Sequence, residues 1–551
     1  MNEGIPEQLI RRLSEASRLV PLALLAVVAA VLYVWRPLFH GLIYRVAYSP
    51  SLLILVGTTV VAGIALVFWP RMGEDPLESA VTKWSILGTI VVAALVLSVA
   101  YSIPAGMAEE RSLAQDATAD AEAVTEFPTV NEENPRIVPE AVADVQTRGS
   151  VSYRQHELGA SDIARTEDGR LAWSYPIQPG PFQVRLSGHQ RGVLLSDMTA
   201  MEDREMQAFD EHEFARGQAM LFHRSADWGL KKSDYWAQYR DDPVEFVHDG
   251  EAYMAFPKTG HEWRLTPVPH TVPVWEGVAL VHQDGTVEHF DADEAADSEV
   301  LDGQRLYPIY NAQREAESLR FRNGIVNQLP IVGTFEGVIE PAGLPSGAGN
   351  EQPFTIDLEG EEMAYVMAME PYGQDTRGLD EVWFFNAETG ETVYYETGGD
   401  TLLGPERATD IVRAEDTRTD WDTAGSDGEF RAVEPVPVVV DEELWWHSKV
   451  VPTDNSDVTR NVFVSAHSGA AVEHHDTEAV IDFIEGEDVE DIDEAEEVGE
   501  VGTEPADEEE DIAYYVVITD ETGEEVDRIP VAAGEEVTIV DDPDDEATAG
   551  D

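Results

Sequence analysis

The histidines of this sequence are the first residues to consider as metal ligands. Fourteen histidines occur, and the densest cluster is Glu473-His474-His475-Asp476. Adjacent residues of a strand point to opposite faces, so the two histidines cannot both bind one ion. His467 precedes this cluster across a turn. We therefore take His467, His474 and Asp476 as the candidate metal ligands, with an ordinary hairpin that binds no metal as the alternative.

Carboxylates are the second group of side chains suited to catalysis. The 551-residue chain has 108 Asp and Glu residues, and two carboxylates flanking a glycosidic bond are enough to hydrolyse it. No spacing selects such a pair, and the chain has no HExxH, GxSxG, P-loop or Rossmann glycine pattern. The sequence therefore assigns no catalytic residue. We predict no cofactor and treat a hydrolase with a carboxylate pair as the alternative to a binding protein.

The charge balance indicates the solvent and the partners. Only 35 Lys and Arg residues oppose the 108 acids, giving a net charge of −73. A carboxylate-rich surface stays hydrated in concentrated salt, where screening removes most self-repulsion. This composition resembles that of proteins from halophilic archaea. The same charge argues against nucleic acid as a partner, and the lack of cysteine excludes disulfides and thiolate ligands.

Three apolar runs near the start of the chain predict transmembrane helices. They are about Leu19–Trp35, Leu52–Trp69 and Trp84–Tyr101, and none contains a charged residue. Each has about 17–18 residues, near the minimum for a hydrocarbon core of about 30 Å. Aromatic residues at the ends suit the membrane–water interface. The alternative, buried helices of a globular core, does not explain three such runs in succession.

Basic residues predict the orientation of these helices. The N-terminal flank and the loop after the second run hold five Lys and Arg residues, against three on the other side. The excess places the N-terminus in the cytoplasm and the large C-terminal region outside the cell. No ionisable residue lies inside a run, which argues against an ion or proton pathway. We expect a multi-pass anchor in the cell membrane, with the lipid bilayer as a partner.

Composition divides the chain into seven segments. The run Glu485–Asp511 contains 16 acidic and no basic residues, which is typical of disordered chain. The predicted segments are a cytoplasmic flank (1–18), three transmembrane helices (19–103), an acidic stalk (104–134), a first α+β domain (135–270), a hairpin/helix repeat domain (271–485), a disordered acidic linker (486–511), and a small β unit with an acidic tail (512–551).

A strand–turn–strand pattern recurs in the large region that follows the apolar runs, which we call the body. An alternating apolar strand, a polar turn containing Gly and a second strand rich in Val and aromatics predict a β-hairpin. The pattern occurs at Asp162–Tyr175, Val278–Asp291, Val382–Glu396, Asn461–Asp476 and Tyr515–Arg528. Three copies precede predicted helices, at Ala292–Val300, Pro405–Ala414 and Thr477–Ile484. The body is therefore predicted to be β-rich α+β, with hairpins that are either a duplicated unit or independent parts of antiparallel sheets.

The order of hairpin and helix, with the turn Asp/Asn-x-x-Thr-Gly seen at 386–390, resembles PepSY-type modules of membrane-anchored envelope proteins. The resemblance covers roughly 270–485. The copy at 461–476 departs from it by carrying His467-Ser468-Gly469 at the turn, so no ligand role is transferred to this chain.

Together these features predict a multi-pass membrane protein that presents an acidic extracytoplasmic domain for binding or assembly at the cell envelope. A protein partner in the membrane or envelope is expected. The alternatives are the membrane-tethered hydrolase with a carboxylate pair and a subunit of a larger membrane complex.

Overall fold

The computed structural model describes most of the chain. The described residues are 26–69, 76–150, 153–202, 204–329, 333–345, 349, 352–360, 362–373, 378–398, 402–416, 418–423, 428–441, 443–486, 512–519 and 525–532. The chain divides between Glu487 and Asp488 into two units. The predicted cytoplasmic flank (1–18), the first part of the predicted first helix and nearly all of the predicted acidic linker lie outside the described residues.

A bent helical segment begins the described chain. Helix α1 (Ala26–Val34) is followed by a 3₁₀ turn (Arg36–Phe39) and α2 (His40–Tyr48), and the axis bends by 76° after α1. Pro37 is buried in the 3₁₀ turn. Proline has no N–H and its ring clashes with the preceding turn, so it breaks the helix here. The predicted first span therefore ends at a bend and leads into a second helix.

Two further helices carry the remaining apolar runs. They are α3 (Pro50–Phe68) and α4 (Pro76–Asp120), each long and apolar enough to cross a bilayer. Over their most apolar stretch, none of α3 and 11% of α4 is buried within the protein. Ser98 of α4 donates a hydrogen bond to the carbonyl of Ser51 at 2.7 Å. The described chain thus has two such helices, or three if α1 and the Arg36–Tyr48 segment after it together form one span.

Helix α4 does not end with its apolar run. It continues through Pro104 to Asp120, and β1 (Glu122–Val124) then pairs in parallel with Thr392–Glu396. Ala108 and Leu113 are buried where α4 packs against the body. Residues 104–134, for which a stalk is predicted, are therefore packed on the body instead of standing free. Small alanine side chains permit this close approach of the helix.

The first two sheets of the body share an apolar core. The first sheet contains antiparallel strands β2 (His156–Leu158), β3 (Asp162–Arg165), β4 (Leu171–Pro179), β5 (Val193–Asp197) and β6 (Met206–Phe209). The second is an antiparallel meander of β7 (Val244–His248), β8 (Glu251–Arg264), β9 (His270–Val281) and β10 (Val287–Phe290). Leu195 and Met254 belong to the same buried cluster. The boundary predicted at 270 falls after the first residue of β9, a strand that pairs with β8, so the two predicted domains share this sheet.

Two more sheets complete the body. The third joins β1 to β11 (Ile339–Pro341), β12 (Phe354–Leu358), β13 (Glu362–Pro371), β15 (Glu381–Asn386) and β16 (Thr392–Glu396). Strands β14 (Gly378–Leu379) and β17 (Leu402–Leu403) form a separate pair. The fourth sheet contains β18 (Phe430–Val440), β19 (Glu443–Pro452), β20 (Arg460–Ser465) and β21 (Ala471–His474). Seven consecutive residues of β13 and eight of β19 are buried, so both strands are covered on both faces.

In the described part of the body, seven α-helices accompany these sheets. They are α5 (Glu140–Ser150), α6 (Phe182–Ser187), α7 (Ala226–Ser233), α8 (Ala292–Ala296), α9 (Ile309–Ser318), α10 (Pro405–Glu415) and α11 (Thr477–Ile484). Helices α8, α10 and α11 occupy the three positions predicted after hairpins. Asp291 and Glu294 form a capping box on α8, which satisfies otherwise unpaired N–H groups of the first turn.

Each predicted hairpin forms an antiparallel strand pair, but no two hairpins share a sheet. The closing pairs are Arg165 with Leu171, Val281 with Val287, Phe385 with Thr392, Val464 with Ala471, and Thr519 with Glu525. Gly285 and Gly390 have φ values of +83° and +74° in their turns, a conformation that favours glycine. The last hairpin, β22 (Ile512–Thr519) with β23 (Glu525–Ala532), is what the structure describes of the second unit.

Buried ion pairs connect distant parts of the body. Arg136 pairs with Glu434 of β18 at 2.8 Å, and Arg165 of β3 pairs with Asp357 of β12. Side-chain exposure does not exceed 6% for any of these four residues. Breaking such a pair leaves an uncompensated buried charge, which costs about 3–5 kcal/mol. These pairs therefore fix the first sheet and its neighbouring segment against the third and fourth sheets.

Candidate functional site

A cavity of about 390 Å³ in the body, open to solvent, gathers carboxylates. Its walls come from β3 and β4, the segment before β7, the start of α9, the start of α5 and the region around β12. The charged residues of its lining are Glu140, Asp162, Arg240, Asp241, Asp242 and Arg305. Four carboxylates thus face two guanidinium groups. The fold brings these residues together from positions far apart in the sequence.

Asp162 is the first residue of β3 and lies beside Arg305. Its Oδ1 accepts a hydrogen bond from the N–H of Ile163 at 2.8 Å, and its Oδ2 pairs with the Arg305 guanidinium. The two side chains are 11% and 6% exposed. Burial raises the pKa of Asp162 to about 7, and the positive charge of Arg305 opposes the rise. A carboxyl group that titrates near neutral pH is suited to proton transfer.

Asp241 lies at the N-terminal end of α9. Its carboxylate accepts hydrogen bonds from the backbone N–H groups of Tyr310 and Ile309, an arrangement that the helix dipole favours. Burial raises the pKa of Asp241, with the charge of Arg305 again opposing. Arg305 therefore acts electrostatically on both acids. Within the described part of the chain, Asp241 Oδ2 is buried without a hydrogen-bond partner.

Glu140 forms the wall contributed by α5. Its Oε1 accepts a hydrogen bond from Ser161 Oγ at 3.0 Å, and its backbone N–H donates to Glu434 Oε1 at 3.0 Å. Burial raises the pKa of Glu140, and the Ser161 hydrogen bond opposes the rise. Because Glu434 is held by Arg136, this wall is anchored to the buried ion pairs described above.

The chemistry of the lining residues indicates what the cavity can bind. Arg305 Nε, a donor, and Asp241 Oδ2, an acceptor, are both buried without partners among the described residues. Burial of a polar atom without a partner costs free energy. The lining offers guanidinium donors and carboxylate acceptors, and a hydroxyl group can pair with either kind because it donates and accepts. A protonated amine can satisfy Asp241 and balance the excess of carboxylates.

The candidate metal ligands take part in other interactions. The ring of His474 packs between Phe463 and Phe483, with centroids 5.8 and 5.1 Å away. Asp476 caps α11 by accepting a hydrogen bond from the N–H of Ala479 at 2.9 Å. In the described ranges, no group of three or more His, Asp or Glu residues is arranged to hold a metal ion.

His467 lies in the turn between β20 and β21. Its backbone N–H donates to Ser465 Oγ at 3.2 Å, so the residue contributes to the turn. His467, His474 and Asp476 are therefore not brought together as a set of ligands.

The sequence pattern gives little indication that Asp162, Asp241 and Arg305 line a cavity. Asp162 lies at the start of a predicted hairpin, and Asp241-Asp242 precedes Pro243 before a strand, but neither pattern is rare in so acidic a chain. Arg305 offers a better indication, because Lys and Arg are scarce here. An arginine in a chain with three times as many acids is expected to meet a carboxylate, although its partner cannot be read from spacing.

Comparisons with known proteins yield one distant structural match. No family model and no curated protein matches the chain. A solved structure, the exo-1,5-α-L-arabinanase from a bovine ruminal metagenomic library, aligns with 12% identity and a TM-score of 0.15. The alignment covers 61% of this chain and 83% of that one. A similarity this low supports no argument about fold or activity.

Proposed function

We propose that this protein is a three-span membrane protein whose body binds a small polar ligand at the outer face of the cell membrane. The apolar surface supports membrane insertion, since Val61 and Phe68 of α3 are 67% and 84% exposed. A continuous apolar surface of this kind is unfavourable in water and favourable in lipid. The distribution of basic residues supports a cytoplasmic N-terminus.

Contacts between α2 and the body support this topology. His40 Nε2 lies 3.1 Å from the carbonyl of Ala237, and Tyr44 Oη lies 2.9 Å from His261 Nδ1. A helix before α3 and a body after α4 can touch only if the α3–α4 pair leaves one membrane face and returns to it. The contacts therefore agree with two crossings by α3 and α4.

The observation that carries the binding function is the carboxylate cavity with its two unpartnered atoms. Asp241 and Arg305 line a space of about 390 Å³, which is the size of a small-molecule site, and each has one buried side-chain atom, Oδ2 and Nε, without a hydrogen-bond partner among the described residues. The ligand classes that fit are amines and polyols. On this basis the protein is an envelope binding protein, with assembly through a protein partner as a related role.

Thermal unfolding of the full-length protein in detergent tests the binding function. A polyamine and a neutral oligosaccharide are titrated separately, and one of them is expected to raise the Tm in a saturable manner. Binding at 100 times the Kd adds about 2.7 kcal/mol to the free energy of unfolding. Asp241→Asn removes the effect. Asp249→Asn removes the same charge from an exposed turn and keeps it.

An equal response of Asp241→Asn and Asp249→Asn indicates that the ligand binds the acidic surface in general, and it contradicts the proposal. A wild-type protein that responds to neither ligand contradicts it as well.

The second candidate function is a hydrolase, favoured by the pKa of about 7 for Asp162 in the same cavity. An acid with this pKa can protonate a leaving group while a second carboxylate, Asp241, assists. Assays on envelope polysaccharides are expected to show activity that Asp162→Asn and Asp241→Asn each lower at least about 100-fold. The absence of activity in the wild-type protein, or its survival in both variants, rules out this function.

A further inference from the structure

A second large cavity, of about 430 Å³, lies where the apolar helices meet the body. It is lined by the end of α2, the first turn of α3, the part of α4 just beyond its apolar run, and strands β8 and β9. Tyr101, at the end of the apolar run, donates a hydrogen bond to the carbonyl of Pro269 in the body at 2.7 Å. The cavity is therefore at the level where the predicted spans end and lipid headgroups begin.

Two exposed arginines on this cavity have no carboxylate partner among the described residues. Arg45 comes from α2, and Arg240 comes from the segment before β7. Arg240 Nε donates to Gln238 Oε1 at 2.6 Å, and its guanidinium lies over the ring of Tyr310 at 4.1 Å. The stacking fixes its plane while leaving its terminal nitrogens available. Arg240 also lines the carboxylate cavity, but neither arginine forms an ion pair with a described carboxylate, and two such guanidinium groups on one cavity favour an anion.

Neighbouring groups of the cavity also favour an anion. The N-terminus of α3 contributes its N-cap Ser49 and Ser51, whose hydroxyls hydrogen-bond each other at 3.1 Å, and a helix N-terminus carries a partial positive charge. One carboxylate, Glu109, lines the cavity, but Arg314 pairs with it at 3.2 Å. The net character facing the cavity is therefore basic.

We propose that this cavity binds the phosphate of a bilayer phospholipid headgroup, held by Arg45 and Arg240. A phosphate oxyanion suits the paired donors of guanidinium groups, and basic pockets beside transmembrane helices are suited to lipid headgroups. The acyl chains would lie along the exposed apolar faces of α3 and α4. This inference rests on the membrane placement proposed above and not on ligand binding in the carboxylate cavity, although the two cavities share Arg240.

Native mass spectrometry of the full-length protein, reconstituted in nanodiscs and then released, tests the proposal. One nanodisc lipid is a phospholipid, and the other is a phosphate-free glycolipid with the same chains. The wild-type protein is expected to retain one phospholipid, and the double variant Arg45→Gln/Arg240→Gln to retain it roughly tenfold less. The matched control, Arg154→Gln/Arg407→Gln, removes two exposed arginines that do not line the cavity and keeps the lipid.

Free phosphate is the other source of the same chemistry, and glycerol phosphate added as a competitor separates the two. Retention of phospholipid in the presence of excess glycerol phosphate supports the lipid. Equal retention of the glycolipid, equal loss in both double variants, or displacement by stoichiometric glycerol phosphate overturns the proposal. A protein that does not enter nanodiscs at all contradicts the membrane placement, whereas one that enters without retaining lipid contradicts this inference alone.

Discussion

The two halves of α4 lie in different surroundings. In the first half, up to about Ser102, Val96 is 63% exposed and no ionisable residue occurs after Lys83. In the second half, Leu113 is 3% exposed, and Asp116 pairs with Arg264 of the body at 2.7 Å. The first half of α4 thus has an exposed apolar surface. The second half of the same helix buries its apolar face against the body and places charged groups in ion pairs.

This difference indicates how the body is attached. A helix whose exterior is apolar suits lipid, where intrahelical hydrogen bonds satisfy the backbone. A helix with a buried alanine face and paired charges belongs to a soluble core. Because no break separates the halves, the body is attached directly to the apolar half of α4. The acidic stalk predicted for 104–134 is packed against the body over the end of α4, so the helix continues from the apolar half into the body.

The largest expected contrast comes from one substitution made in each half. Leu113→Ala removes a buried side chain and is expected to lower the free energy of unfolding by about 2–5 kcal/mol. Leu97→Ala, at a position 56% exposed, is expected to change it by less than about 1 kcal/mol, since no protein cavity forms. Denaturant unfolding in detergent measures both. Equal losses contradict the separation of the two halves.

The pH dependence of the free energy of unfolding tests the packing of α9 against the second half of α4. Glu315 accepts a hydrogen bond from Tyr307 Oη at 2.6 Å, and burial, with Asp116 and Asp120 of α4, raises its pKa from 4.5 to about 7. Between these values the folded protein binds more protons than the unfolded chain. The free energy of unfolding therefore falls as pH rises from about 4.5 to 7, by about 3 kcal/mol in total.

Glu315→Gln keeps a hydrogen-bond acceptor and is expected to remove this fall, so that the variant is more stable than wild type above pH 7. Unfolding followed at several pH values provides the measurement. Glu317→Gln, on the same helix at 40% exposure, serves as the control with an unchanged profile. A wild-type profile that is flat over this range contradicts the account of Glu315.

Added bulk is expected to produce the smallest effect. Ala108 is fully buried against the body, and Ala108→Leu is expected to cost about 1–3 kcal/mol through overpacking. Ala93→Leu, on an exposed position of the first half, meets only lipid or detergent and is expected to be neutral. Melting temperatures of the two variants give the comparison, and a destabilised Ala93→Leu would mean that this face has a protein neighbour.

The local features of the fold were predictable from sequence because they depend on near neighbours. Apolar runs without charge predict the helices, and alternation around a turn with Gly predicts the five hairpins. The continuation of α4 was not predictable in the same way. The acidic, Ala-rich composition after Pro104 predicts a stalk, whereas Ala105 and Ala108, three residues apart, lie on the face of the helix that the body buries.

The candidate site was not predictable, since it depends on distant pairs. Arg136 and Glu434 are separated by 298 positions, and with 108 acids any arginine has many possible partners. The histidine cluster was conspicuous in the sequence because its residues are adjacent, yet Asp476 serves as a helix cap and His474 packs among aromatic rings. The adjacent residues of the histidine cluster do not point toward one common site. The carboxylates of the cavity lie far apart in the sequence and are brought together by separate elements of the fold.

Selective labelling tests most directly whether α4 carries the body at the outer face of the membrane. The protein has no cysteine, so each introduced cysteine reports one position. Asp249→Cys lies on the body, with the native side chain 95% exposed, and Gly73→Cys lies between α3 and α4. On intact cells, a membrane-impermeant maleimide is expected to label Asp249→Cys at once and Gly73→Cys only after lysis. Labelling of Gly73→Cys with protection of Asp249→Cys would contradict the account.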